Sequence, residues 1–388
     1  MDRPPPPAFT ASFLDALLGV ETPTVVVDRE RLAANVARVA RLARGHGLRL
    51  RPHAKTHKSL ALAKLQLDAG ATGLTVAKTA EAELFLSAGV PSVTIAHPLV
   101  DPAKITRALR AARAQGADLR FIADSDTGVD AIASVARTMD AVVPVYLKVD
   151  VGLHRCGVDP AAGGAITLAH RIAAEPGLRL AGLLSHAGHA YRFADPRGLP
   201  DLAAKEREMM TALAVRLRGN KLDIPDVSVG CTPTVIQAQR FDGITEIRPG
   251  NYVYMDRIQV GLGVASLSEV ALWVAATVVS VNDRYAIIDA GSKVLSSDRG
   301  PHGATHLEGY GLTWPTDRVD DAPMSIVSLS EEHGFIDHRG QPPKIGSRVA
   351  ILPNHACTVV NLARETVVVM PASGVIETWH TDGQSLVR

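Results

Sequence analysis

Six short segments concentrate the residues able to do chemistry. The first is Arg51-Pro-His-Ala-Lys-Thr-His-Lys58. Its Lys55 amine can form an imine with an aldehyde cofactor, and the cations around it (Arg51, His53, His57 and Lys58) favour the uncharged, reactive form. The second, Lys148-Val-Asp-Val-Gly-Leu-His-Arg-Cys-Gly157, offers Arg155 as a fixed cation for an anionic oxygen. The third, Leu183-Leu-Ser-His-Ala-Gly-His-Ala-Tyr191, offers His186 to a cofactor ring and Tyr191 to a substrate. The fourth and fifth are Ser228-Val-Gly-Cys-Thr-Pro-Thr234 and Arg248-Pro-Gly-Asn-Tyr-Val-Tyr-Met-Asp256. Glycine beside small hydroxyl side chains presents N–H and O–H donors to a phosphate. The sixth is Pro353-Asn-His-Ala-Cys-Thr358. His355 and Cys357 are two apart, so on a strand they would share a face, and imidazole plus thiolate suit Zn²⁺ with coordination positions left for water and substrate. Glu332-His333-Gly334 is a weaker cluster of the same kind. Each segment has a bland alternative: a basic surface loop, a strand-end turn, a structural histidine, a buried cysteine. Their joint placement decides between the readings.

That placement follows from the elements. Thr24–Val27 reads as a strand, and Asp28 can cap a helix whose Leu32, Val36, Val39 and Leu42 form one apolar stripe. Strands are then expected near 48–51, 73–76, 92–96, 119–123, 144–149, 180–185, 226–229 and 245–248, most of them separated by alanine-rich helical stretches such as 80–88 and 105–114. Eight strands alternating with helices predict a (β/α)8 barrel of α/β class over 23–265. The rival is a doubly wound open sheet, whose Gly-x-Gly-x-x-Gly fingerprint is absent. In a barrel the active-site groups follow the C-terminal strand ends, and the loops after strands seven and eight are the recurrent phosphate site. Lys55 follows strand one, and the two phosphate segments follow strands seven and eight. From about 266 the pattern changes to β-rich runs at 272–281, 285–289, 324–329, 348–352 and 366–370. They predict a C-terminal all-β domain over 266–388 bearing the His355/Cys357 metal site. The strand 24–27 lies outside the eight and is available to that second sheet. Residues 1–22 read as an N-terminal tail, disordered at the proline run Pro4–Pro7.

Composition narrows the class. With 388 residues, two domains are the prior expectation. A net charge of +1 gives no electrostatic case for a nucleic-acid or membrane partner. No stretch approaches the roughly 20 apolar residues of a membrane span. Three cysteines, Cys156, Cys231 and Cys357, suit a reducing compartment rather than a disulfide framework. A cytoplasmic enzyme is expected.

Together these segments resemble the fold-type III, alanine racemase-like enzymes that use pyridoxal 5'-phosphate (PLP). Lys148–Arg155 resembles the racemase Lys-x-Asp-Thr-Gly-Met-x-Arg stretch, and Arg248-Pro-Gly resembles the arginine facing the pyridine nitrogen. The closer resemblance is to the branch of D-serine dehydratase, D-threonine aldolase and D-threo-3-hydroxyaspartate dehydratase. It rests on Arg51–Lys58, Ser228–Thr234, Asp289-Ala-Gly, Ser297-Asp-Arg-Gly300, Glu332-His-Gly and Pro353–Cys357, and spans about Thr22 to Thr378. The resemblance implies that Lys55 is the cofactor's Schiff-base lysine. It places Arg155 on the phenolic oxygen, His186 against the ring and Arg248 at the pyridine nitrogen. Gly230, Cys231, Thr232, Gly250 and Asn251 would hold the phosphate, and His355 and Cys357 the metal. Lys55, His186 and Tyr191 are the expected catalytic groups. His-x-Cys, where the securely matched aldolases carry His-x-Asp, favours Zn²⁺ over Mn²⁺ or Mg²⁺. It also favours ammonia-releasing elimination from D-serine or D-threonine. Retro-aldol cleavage to glycine and an aldehyde is the alternative. Further readings are a racemase, for which Tyr310 would supply the second base, and a non-enzymatic PLP carrier. The substrate is expected to be a small D-amino acid, and the resemblance implies a homodimer.

Overall fold

The computed structural model describes residues 6–193, 195–301, 304 and 307–388. Pro4 and Pro5 of the proline run lie outside the described residues. The stretch assigned to the tail contains a helix, Ala11–Gly19, capped by Thr10 and burying Phe13, Ala16 and Leu17.

Seventeen strands are described. They are β1 (Thr24–Asp28), β2 (Arg49–Leu50), β3 (Leu74–Val76), β4 (Ser92–Ile95), β5 (Asp118–Ala123), β6 (Val143–Lys148), β7 (Leu178–Leu184), β8 (Asp226–Val229), β9 (Glu246–Ile247), β10 (Leu272–Val281), β11 (Tyr285–Ile288), β12 (Gly311–Pro315), β13 (Met324–Leu329), β14 (Gly334–Asp337), β15 (Arg348–Pro353), β16 (Glu365–Met370) and β17 (Val375–His380). Strands β2–β9 form one parallel sheet in the order β2-β9-β8-β7-β6-β5-β4-β3. Its strands are buried on both faces, as crossover helices require; every residue of β6 is buried. Some of the helices start on side-chain caps: Asp28 accepts from Glu30 N and Arg31 N at 3.0 Å each, and Asp101 from Ala103 N at 2.9 Å.

The expected closed barrel is corrected in one respect. The end strands β2 and β3 share no ladder. They meet at one isolated bridge, His53 to Thr75, and through Thr72 N to Leu50 O at 2.8 Å. Pro52 has no N–H to donate, so β2 stops after two residues and the seam stays short. The fold is an α/β unit with eight parallel strands in an incompletely laddered ring.

The second sheet has the order β11-β14-β13-β12-β15-β10-β1-β16-β17, and β11 also pairs with β10. That extra pairing closes β10 to β15 into an antiparallel barrel. β1 lies in the middle of the extension, antiparallel to β10 and parallel to β16. Its Val25, Val26 and Val27 are buried, and Trp273 and Trp314 pack edge to face in the adjoining core. Among the described residues no helix is long and apolar enough to cross a membrane.

Candidate functional site

A cavity of about 580 Å³ opens at the C-terminal ends of the parallel strands. Of the residues singled out in the sequence, Lys55, His186, Tyr191, Cys231, Thr232, Arg248, Gly250, Asn251, His355 and Cys357 all line it. Gly230 and Arg155 do not. A larger groove of about 1130 Å³, beside the helix Ala11–Gly19 and β16, holds none of these groups.

Lys55 sits in a single 3-10 turn, Ala54–Thr56, directly after β2. Its amine is partly open to the cavity yet surrounded by protein. Burial lowers its pKa from the usual lysine value; the Arg155 charge adds to this and Cys357 opposes it. The His53 side chain caps the turn by accepting from Lys55 N at 3.4 Å, and burial holds His53 neutral. His57 is walled off behind: its Nε2 meets Gln66 Oε1 at 3.2 Å, and Gln66 in turn donates to Tyr252 Oη at 3.0 Å. Lys58 is tied to Glu81 at 3.2 Å and donates to Leu386 O at 3.2 Å. Thus only Lys55, of the cations in this segment, is presented to the cavity without a carboxylate partner.

Arg248 is 3 % exposed. Its Nε donates to Ser228 Oγ at 2.8 Å and its other end to Ser185 O. Burial lowers its pKa, and Glu246 is the leading opposing charge. Ser228 Oγ donates to Glu246 Oε1 at 2.7 Å, and Glu246 Oε2 receives Arg51 Nε at 2.9 Å. Arg51 continues to Ser92 Oγ at 2.7 Å, and Ser92 to Asp118 Oδ2 at 2.9 Å. A buried polar chain therefore runs under the cavity floor and braces Arg248 against the base of the lysine segment. Sequence reasoning missed Glu246 and Ser92, because an isolated acidic or hydroxyl residue inside a strand pattern carries no motif.

The two loops expected to hold an anion are adjacent. Gly250 comes so close to the lysine turn that a Cβ would lie 2.8 Å from Thr56 Oγ1 and 3.0 Å from His53 O. The main-chain N–H groups of Thr232, Gly250 and Asn251 have no protein acceptor among the described residues. The Asn251 Oδ1 is buried without a hydrogen-bond partner. Gly230 stands behind the wall at φ +100°, and its N–H already donates to Glu206 Oε1 at 3.3 Å. Burial pushes the Cys231 thiol up to about 12, so it stays protonated. Tyr191 is buried and its phenol is held well above its usual value by burial. Arg155 is exposed on the loop after β6, outside the cavity wall.

His355 and Cys357 are not on a strand as expected. β15 ends at Pro353, and the pair begins the helix Ala356–Leu362, with His355 at the N-cap. A helical start still brings the two side chains together. Burial alone would hold the imidazole neutral, but the Cys357 thiolate and then Asp298 outweigh it and raise His355. Burial likewise opposes the thiolate, and the His355 charge overcomes it. His355 Nδ1 lies 2.8 Å from Asp298 Oδ2, which leaves Nε2 for a ligand. Cys357 Sγ lies 3.3 Å from Thr56 Oγ1. Among the described residues no three His, Cys, Asp or Glu side chains converge as a metal cluster.

Known proteins show the same organisation. Residues 27–258 match the alanine racemase N-terminal domain and 271–369 a serine dehydratase domain. The chain is 35 % identical to D-threo-3-hydroxyaspartate dehydratase of Delftia sp. (strain HT23), over 94 % of this chain and 98 % of that one. It is 28 % identical to D-serine dehydratase of Dictyostelium discoideum (88 % and 92 % covered) and 28 % identical to D-threonine aldolase of Arthrobacter sp. (99 % and 97 %). The solved Delftia dehydratase superposes with a TM-score of 0.87 at 35 % identity, covering 94 % of this chain and 98 % of that one. A cysteine-to-alanine mutant of that enzyme, in the metal-free form, superposes at 0.86 with 34 % identity and the same coverage. On these matches the chain belongs to the alanine racemase-like family, as an enzyme on the lyase branch of its dehydratase and aldolase relatives.

Proposed function

We propose that the chain is a PLP- and divalent-metal-dependent lyase of D-β-hydroxy-α-amino acids, and that it eliminates the β-hydroxyl to give a 2-oxo acid and ammonia. The observation that carries this is the His355–Cys357 pair facing the Lys55 turn, with Cys357 3.3 Å from Thr56. A thiolate and an imidazole whose Nδ1 is already fixed by Asp298 are a donor set for Zn²⁺.

The residues present fit PLP. The unclaimed N–H groups of Thr232, Gly250 and Asn251 would hold its phosphate, with Gly230 and Cys231 shaping the turn. His186 would lie against the ring, and Arg155 would serve the phenolic oxygen once its loop folds inward. Bound PLP supplies an electron sink for the carbanion formed at the α-carbon. Burial favours the neutral amine of Lys55, which would take the α-proton. Arg248 stays protonated, because Ser228 and Ser185 O accept from it and no base contacts it; it would therefore donate to the cofactor ring rather than take a proton from it. The metal pair would polarise the β-hydroxyl and Tyr191 would bound the substrate side. In this reading residues 23–265 are the cofactor unit and 266–388 the metal-bearing β unit, working as a homodimer.

The second reading, retro-aldol cleavage, is favoured by the full-length similarity to D-threonine aldolase. Incubation with D-threonine separates them. Elimination yields 2-oxobutanoate and ammonia; glycine and acetaldehyde would replace it with the aldol route.

A further inference from the structure

The phosphate segment and the metal segment meet on one buried carboxylate. Asp256 is fully buried. Its Oδ2 accepts from Asn251 Nδ2 at 2.6 Å and from Ala356 N at 2.9 Å, and its Oδ1 accepts from Gln259 N at 3.1 Å. A carboxylate accepts at both oxygens, whereas an amide in its place would turn an NH2 group towards one of these donors. Asn251 carries one of the unclaimed main-chain N–H groups of the cradle, and Ala356 stands between His355 and Cys357. The Asn251 amide also lies 3.8 Å from Cys357 Sγ, so its Nδ2 faces both acceptors. Two more bonds lace the same segments: Ile258 N donates to Asn354 O at 3.4 Å, and Arg257 to Asn354 Oδ1 at 3.1 Å. Between Asn251 and Asp256, the buried Met255 has φ +54°, left-handed backbone that a non-glycine residue keeps only where its surroundings fix it. The loop after β9 therefore cannot shift without moving the start of the helix that bears the thiolate.

We propose that Asp256 and Asn251 are positioning residues that couple the two sites, so that filling the phosphate cradle tightens divalent-metal binding by His355 and Cys357, and the reverse. The inference rests on the assignment of cradle and metal pair made in the lyase reading. A phosphate on the N–H groups of Gly250 and Asn251 fixes the Asn251 side chain against Asp256. Asp256 in turn fixes Ala356 N between the two metal donors. A metal that meets donors already held in place orders fewer groups on binding, and its affinity rises. By linkage the metal raises cofactor affinity by the same factor.

The test is Zn²⁺ affinity of the full chain, read by competition with a chromogenic chelator. It is measured without PLP, with PLP, and with pyridoxal, which lacks the phosphate. In the wild type PLP should tighten Zn²⁺ binding by about five- to fiftyfold, and pyridoxal should not. Asp256→Asn and Asn251→Ala should each bring that ratio close to one. Asn251→Ala keeps the main-chain donor and removes only the side-chain contacts, so it decides the matter if Asp256→Asn fails to fold. Equal Zn²⁺ affinity with and without PLP, equal tightening by pyridoxal, an undiminished ratio in Asn251→Ala, or no Zn²⁺ binding at all overturns the proposal. Turnover of D-threonine is scored separately. Turnover without coupling removes this inference and leaves the lyase reading standing; coupling without turnover does the opposite.

Discussion

Cys357 Sγ stands 3.3 Å from Thr56 Oγ1, so the thiolate of one sheet's helix touches the residue next to Lys55 on the other. A metal held by His355 and Cys357 would therefore sit beside the reacting carbon. Cys357→Ala should lose the bound metal by elemental analysis and lose turnover, while the cofactor's absorption stays. Chelation of the wild type should do the same. Full activity in metal-free protein would refute the metal's role.

Lys55→Ala should abolish turnover and the near-visible absorption of the bound cofactor, because the other lysines lining the cavity, Lys58 and Lys78, lie outside the 3-10 turn that presents Lys55. Lys58 is pinned to Glu81 and Leu386 O. Retention of the band in the variant would move the attachment site elsewhere.

Glu246 is the only carboxylate contacting Arg51 among the described residues, at side-chain exposures of 0 % and 2 %. Glu246→Gln keeps the shape and leaves a buried guanidinium unpaired, a loss of about 3–5 kcal/mol. Urea unfolding measures it; an unchanged midpoint would mean that the chain beneath the cavity carries no net stabilisation. The same variant should loosen Arg248 through Ser228 and shift the cofactor's spectrum.

Stability should also fall on mild acidification. Burial lowers His57 from 6.5 to about 4, against weaker support from Gln66 and Ser59. Between those values the unfolded chain binds a proton that the folded chain does not, so stability rises with pH across the window and is lost as pH falls from 6.5 towards 4. The contribution is at most about 3 kcal/mol. The difference in urea midpoint between pH 5 and pH 7.5 should shrink in His57→Gln, and an identical difference in both proteins would remove His57 as the cause.

Most strands with consecutive β-branched residues were legible. All eight parallel strands and β10, β11, β13, β15 and β16 follow from sequence. β12, Gly311–Pro315, and β14, Gly334–Asp337, were not legible, since each begins on glycine and β12 ends on proline. β17 is mostly exposed and reads as polar loop. In the site, motif residues were legible because their types carry chemistry by themselves. Asp298 in its orienting role and Leu386 on the cavity wall act only through three-dimensional neighbours, and Leu386 arrives from the far end of the chain. Arg155 illustrates the converse: its motif was clear, and its side chain is exposed outside the cavity wall.

The position of β1 has a consequence for how the chain can be made and cut. Val26 pairs with Trp273 on one side and Val367 on the other. During synthesis the first strand must wait until β10, Leu272–Val281, is made for one partner and until β16, Glu365–Met370, for the other. A fragment begun at residue 266 would expose the facing edges of β10 and β16, an invitation to intermolecular pairing. Dissection at the boundary between the two sheets should therefore yield aggregates, unless the segment Thr24–Asp28 is supplied with the C-terminal piece.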